Sequence, residues 1–160
     1  MDELIARAEK LGALLKSRGE TIAIAESSTG GLISAALLAV PGASGYFLGG
    51  AVVYTLASRR GLMGIGDLPQ GMRASTEAYA LLLARTAKER MGASWALAET
   101  GASGPTGNRY GDAAGHSCFA VAGATEASAT LETGKSDRRG NMNVFAAAAF
   151  DLLARTLAAT

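Results

Sequence analysis

No segment limits the possible folds more than residues 21–40. Thr21 to Ala25 is short, rich in β-branched residues and apolar on both faces, the pattern of a strand covered by helices on either side. Polar and small residues follow at once, Glu26-Ser27-Ser28-Thr29-Gly30-Gly31. An apolar stretch at helical spacing then runs from Gly31 to Val40 and stops at Pro41-Gly42. A doubly covered strand feeding a helix through a tight polar turn is a unit of α/β architecture.

The rest of the chain fits that frame. Leu4, Ile5, Ala8, Leu11, Leu14 and Leu15 recur at helical spacing from Glu3 to Leu15, with Gly19 as the stop. Gly50 to Thr55 predicts a second buried strand, and Leu56 to Met63 a short helix or a turn, before a Gly and Pro cluster from Gly64 to Gly71. Ser75 suits the N-cap of a helix through Met91, with Glu77 in its first turn and Arg90 in its last. Trp95 to Glu99 predicts a third strand, which empties into a glycine-rich loop from Gly101 to Gly111. Gly115 to Gly123 and Ala127 to Glu132 predict an antiparallel hairpin. A last helix is expected from about Asp137 to Ala158, docked by Met142, Phe145, Ala149, Leu152, Thr156 and Leu157. Together these elements predict one domain over residues 1–160, a three-layer α/β/α sandwich on a mixed, mostly parallel sheet of about five strands.

Composition closes off several function classes. A net charge of +1, with eleven arginines and four lysines scattered along the chain, supplies no basic field for nucleic acid. No apolar run approaches the roughly 20 residues that span a bilayer, and the charged N-terminus resembles no signal peptide. The single Cys118 has no disulfide partner within the chain, which fits a cytoplasmic setting. Cys118 and the only histidine, His116, cannot build a metal site by themselves, and Glu26, Glu99 and Asp112 have no recognisable ligand spacing. No cofactor is indicated.

In an open α/β sheet, ligands gather at the carboxyl ends of strands, where helix N-termini leave N–H groups free. Two segments meet that description: the turn of Glu26, Ser27, Ser28, Thr29, Gly30 and Gly31, and the loop opened by Thr100, Gly101 and Gly104 and carrying Arg109. Their hydroxyls, bare backbone and guanidinium suit a phosphate or carboxylate. The same hydroxyls also suit a helix cap. No Walker loop, Rossmann fingerprint or nucleophile elbow is present.

These residues carry a family resemblance. Ala25-Glu26-Ser27-Ser28-Thr29-Gly30-Gly31 resembles the Ala-Glu-Ser-Cys-Thr-Gly-Gly signature of the CinA C-terminal family, whose enzymatic members are nicotinamide mononucleotide deamidases. Val40-Pro41-Gly42-Ala43-Ser44, Gly49 to Tyr54, Thr100-Gly101-Ala102-Ser103-Gly104-Pro105, Gly115 and Gly134 to Arg138 fall in the family's order. The resemblance implies hydrolysis of the carboxamide of nicotinamide mononucleotide to nicotinic acid mononucleotide and ammonia, with Ser27 as the catalytic serine and Tyr54 as the active-site tyrosine. It also places Thr100 and the adjoining glycines in the substrate loop and implies a homodimer. The segment after Tyr54 departs from the pattern: Thr55-Leu56-Ala57 stands where typical deamidases have Ser-Asn-Glu, and Arg59 stands where the family has a lysine. A desolvated lysine can surrender its proton and act as a base, whereas arginine cannot, so Arg59 is suited to steadying an oxyanion or binding phosphate. Proton relay then falls to Tyr54, Glu26 or another group. The alternative is a module that binds a nucleotide without turning it over.

Overall fold

A computed structural model describes all 160 residues. The elements follow in the order α1 (Asp2–Arg18), β1 (Ile22–Glu26), α2 (Leu32–Leu38), β2 (Phe47–Val52), α3 (Leu56–Met63), α4 (Glu77–Met91), β3 (Trp95–Ala102), β4 (His116–Ala122), β5 (Glu126–Glu132) and α5 (Arg138–Ala158). They build an open five-stranded sheet of order β2-β1-β3-β4-β5. β1 is parallel to β2 and β3, while β4 is antiparallel to β3 and β5 to β4. Four of the five strands therefore point the same way, with β4 alone reversed, as the expected mixed sheet requires.

The two faces of the sheet differ in bulk. On one, Ile22, Ile24, Trp95, Leu97, Phe119 and Val121 pack against α1, α2 and α5. On the other, Ala23, Ala25, Ala96, Ala98, Ala120 and Ala122 form a floor of small side chains beneath α3 and α4. Alternation along a strand sends successive residues to opposite faces. The apolar runs of the three central strands thus sort large residues to one face and small ones to the other. The alanine floor lets α4 sit close, filling the gap with Tyr79, Leu83, Ala84 and Ala87.

Several boundaries differ from the sequence expectation. The helix α2 begins at Leu32, because Gly31 adopts φ 100° as its cap, and it ends at Leu38. β2 covers 47–52, three residues earlier than the expected Gly50 to Thr55, and lies half-exposed at the sheet edge rather than buried, so Tyr54 lies beyond the strand in the connection to α3. Leu56–Met63 is a helix, started by a reciprocal capping pair between Thr55 and Ser58. α4 is capped by Thr76, whose Oγ1 accepts from the Tyr79 N–H at 3.2 Å, while the expected cap, Ser75, sits in the left-handed region at φ 60°. β3 extends through Ala102, since Thr100, Gly101 and Ala102 pair with β4. Gly101 permits that pairing: a Cβ there would press on the His116 carbonyl and the Ser117 backbone. No helix is long and apolar enough to cross a membrane.

Candidate functional site

The turn after β1 is built around two buried carboxyl groups. Glu26 closes β1 and folds back under α2. Its oxygens accept from the backbone N–H groups of Gly31, Ile33 and Ser34 and from the hydroxyls of Thr29 and Ser34, all within 3.1 Å. Glu99, on the adjacent β3, accepts from the backbone N–H of Ser27 at 3.0 Å and of Thr29 at 2.9 Å, and from the hydroxyls of Ser28, Thr29 and Ser117. Both side chains are fully buried. The free donors expected at this helix N-terminus are therefore already satisfied by the protein's own carboxylate.

This corrects part of the expected ligand set. Glu26, Thr29, Gly30 and Gly31 do not line the cavity; they form the mount beneath it. Ser28 touches the cavity, yet its hydroxyl is turned down onto Glu99. Thr29 has one hydroxyl proton to share between Glu26 at 2.7 Å and Glu99 at 3.0 Å. Burial pushes the Glu99 carboxyl above its usual range against the pull of hydrogen bonds from Ser28, Thr29 and Ser27.

Above this mount lies a cavity of about 700 Å³ at the carboxyl ends of β1 and β3. It brings together Ser27, Ser28, Tyr54, Arg59, Thr100, Gly101, Gly104 and Arg109 from the sequence-derived set. Ser27 has its backbone held by Glu99 and no protein partner on its hydroxyl. Tyr54 is 59% exposed, and its hydroxyl accepts from Arg138 Nη2 at 3.2 Å. Thr100 accepts from the backbone N–H of Ser75. Arg109 sits with its guanidinium 6.0 Å from the Tyr110 ring.

Arg59 is 8% exposed and donates from Nη2 to the Gly66 carbonyl at 2.9 Å, while its buried Nε has no partner. Beside it, burial pushes the Tyr79 hydroxyl up and the Arg59 charge pulls it down. Sequence reasoning missed Arg138, which opens α5 and donates to the Gly104 carbonyl at 2.6 Å as well as to Tyr54. Its signal lay in the Gly134 to Arg138 stretch. Ser103, buried in the wall with an unpartnered hydroxyl, was also missed as a wall residue. The wall holds three arginines, Arg59, Arg109 and Arg138, none in an ion pair, and not one Asp or Glu.

A second polar cluster holds the loop after β3. Asp112 accepts from both Nη atoms of Arg73, at 2.7 and 3.0 Å, and from Asn108 Nδ2 at 2.7 Å. Those bonds, that of Arg73 foremost, hold its carboxyl below the usual range. His116 bridges Glu132 through Nδ1 and the Ser75 carbonyl through Nε2, at 2.8 Å for the latter. Burial lowers its pKa, but Glu132, Ser75 and Asp112 outweigh that and raise it above the ordinary value.

Fold and cavity define an open α/β domain with a cation-lined pocket at the carboxyl ends of its parallel strands. The chain belongs to the CinA C-terminal domain family, whose model matches residues 5–157. It is 36% identical over 148 residues to a CinA-like protein of Salinibacter ruber, covering 92% of this chain and 36% of that protein. With a CinA-like protein of Prochlorococcus marinus it shares 43% identity over 111 residues, 69% of this chain and 26% of the relative. The chain thus spans about a quarter to a third of the length of these curated relatives. Among solved structures, the competence/damage inducible protein CihA from Agrobacterium tumefaciens matches with a TM-score of 0.87 at 26% identity, over 96% of this chain and 94% of that one.

Proposed function

We propose that the cavity binds a pyridine mononucleotide and that Ser27 hydrolyses its carboxamide, releasing ammonia and leaving the carboxylate. The observation that carries this reading is the placement of an unpartnered serine hydroxyl at the end of β1, in a wall of three unpaired guanidiniums and no carboxylate. Arg109 and Arg138 suit a phosphate. In the reaction, Ser27 Oγ adds to the amide carbon, the C–N bond breaks with a proton passing to the departing nitrogen, and water then cleaves the acyl ester to regenerate the serine. Arg59 suits the oxyanion that forms at the first step.

A second reading is binding without turnover. It is favoured by the absence of any hydrogen-bonded base at Ser27 Oγ and by an arginine at the position where the family resemblance implies a lysine. Incubation with nicotinamide mononucleotide separates the two. Ammonia release that disappears in Ser27→Ala supports hydrolysis; release at background from pH 6 to 10, with thermal stabilisation by the nucleotide, supports binding alone.

A further inference from the structure

We infer that the ligand of this cavity carries a second anionic group, a carboxylate, which the buried Arg59 receives at the side opposite Arg138. The inference rests on the reading of the pocket as a site for a phosphorylated small molecule, and it adds the class: an acid rather than an amide is the tightly held form.

The argument begins with burial. Arg138 and Arg109 are exposed, so water screens their charges at little cost. Arg59 is not. A guanidinium has five N–H donors, and for this one the protein supplies the Gly66 carbonyl with the neutral Tyr79 hydroxyl alongside, leaves Nε unpartnered, and places no carboxylate within ion-pair distance. A charge removed from water without a counter-ion is costly to the fold, and arginine cannot escape by losing its proton. The protein does supply buried carboxyls, but Glu26 and Glu99 spend their acceptors on the turn beneath Ser27. The missing anion must come from the ligand.

Charge counting gives the same result. Three wall guanidiniums face no wall carboxylate. A phosphate monoester brings about 1.5 to 2 negative charges near neutral pH, which leaves roughly one wall cation unmatched, and the ring cation of a pyridine mononucleotide adds another positive charge to the count. Placement decides which wall cation. Arg59 rises from α3, in the layer with α4, whereas Arg138 opens α5 in the opposite layer. The two charges therefore enter from opposite faces of the sheet, and a ligand reaching from Arg138 across Ser27 presents its far end to Arg59. The planar fork of arginine matches a carboxylate in a way that lysine does not.

Calorimetric titration with two matched pairs tests this: nicotinic acid mononucleotide against nicotinamide mononucleotide, and orotidine 5′-monophosphate against uridine 5′-monophosphate. The native protein should bind the acid at least about tenfold more tightly than its neutral partner in one pair or both. Arg59→Met should erase that ratio, Arg59→Lys should retain part of it, and Arg138→Met should weaken both members of a pair by similar factors. Melting curves identify any variant that fails to fold, and Arg59→Lys then carries the comparison. Acid preference in the uridine pair without binding of either pyridine nucleotide overturns the pyridine reading and leaves the two-anion inference standing. Lack of acid preference in both pairs, or a ratio that survives Arg59→Met, overturns the inference.

Discussion

At the residue scale, the side chains that decide the site are those that hold Ser27 as much as those that face the ligand. Glu99 fixes the backbone of Ser27 and Thr29 from the neighbouring strand. Glutamine can take its place: the amide oxygen faces the two N–H groups, and the amide nitrogen donates to the hydroxyls of Ser28 and Ser117, which turn to accept. Glu99→Gln should accordingly cost no more than about 1–2 kcal/mol, whereas Glu99→Leu, which orphans two buried N–H groups, should cost about 2–6 kcal/mol. Urea denaturation of both variants reads the difference; equal losses would show that the N–H groups of Ser27 and Thr29 do not depend on Glu99 as their acceptor. The Ser27 to Gly31 turn was legible in the sequence as a candidate site, but its hydroxyls do not cap the helix: those of Ser28 and Thr29 bond to Glu99 and Glu26, and α2 starts at Gly31 without a side-chain cap from the turn. What could not be seen was that Glu26 itself occupies the helix N-terminus, because a bond between residues five to eight apart depends on how the turn folds back.

At the scale of elements, the loop between β3 and β4 behaves as a clamped wall rather than a free flap. Arg73, just before α4, grips Asp112 from both guanidinium ends, and Asn108 ties the same carboxylate to the loop tip. The Arg73 guanidinium also lies 5.0 Å from the centre of the Tyr110 ring. Asp112→Ala should free the segment from Thr106 to Tyr110, raising its amide hydrogen exchange by tenfold or more while β1 and β3 stay protected, and should weaken nucleotide binding severalfold. Unchanged exchange in that segment would show that the loop is held by its backbone alone. The sequence marked this stretch as a functional loop by its glycines, but it placed the start of the loop too early. Thr100 to Ala102 belong to β3 because Gly101 lets β4 approach, and a partner strand cannot be inferred from the residues of one strand.

For the whole molecule, stability is bounded on two sides by buried or bonded charges. Both ring nitrogens of His116 meet acceptors, so the bonded form is the imidazolium, and its raised pKa contributes stability that is fully present below about pH 6.5. That contribution is lost as pH rises through the folded-state value. Asp112 and Asp112's fellow carboxylates Glu77 and Glu126 have depressed values, held down by Arg73, by Ser128 and Thr130, and by Arg85 respectively. Their contribution is present above the ordinary carboxyl range and is lost as pH falls through the depressed values. The melting temperature of native protein minus that of His116→Gln should therefore be largest near pH 6 and shrink toward pH 9; a gap that grows with pH would reverse the assignment. By itself the sequence determined the α/β class, the order of the elements and the apolar stripes of α1 and α5, since these follow from local periodicity and turn chemistry. It also located Ser27, Tyr54, Arg59 and the Thr100 loop as candidates for one site. Only the tertiary structure decided which face each strand residue covers, that Glu26 and Glu99 support the site instead of lining it, and that Arg138 joins the wall from the far end of the chain. Those outcomes depend on contacts between segments distant in sequence, where burial and hydrogen-bond satisfaction over the whole fold, rather than local preference, select the partner.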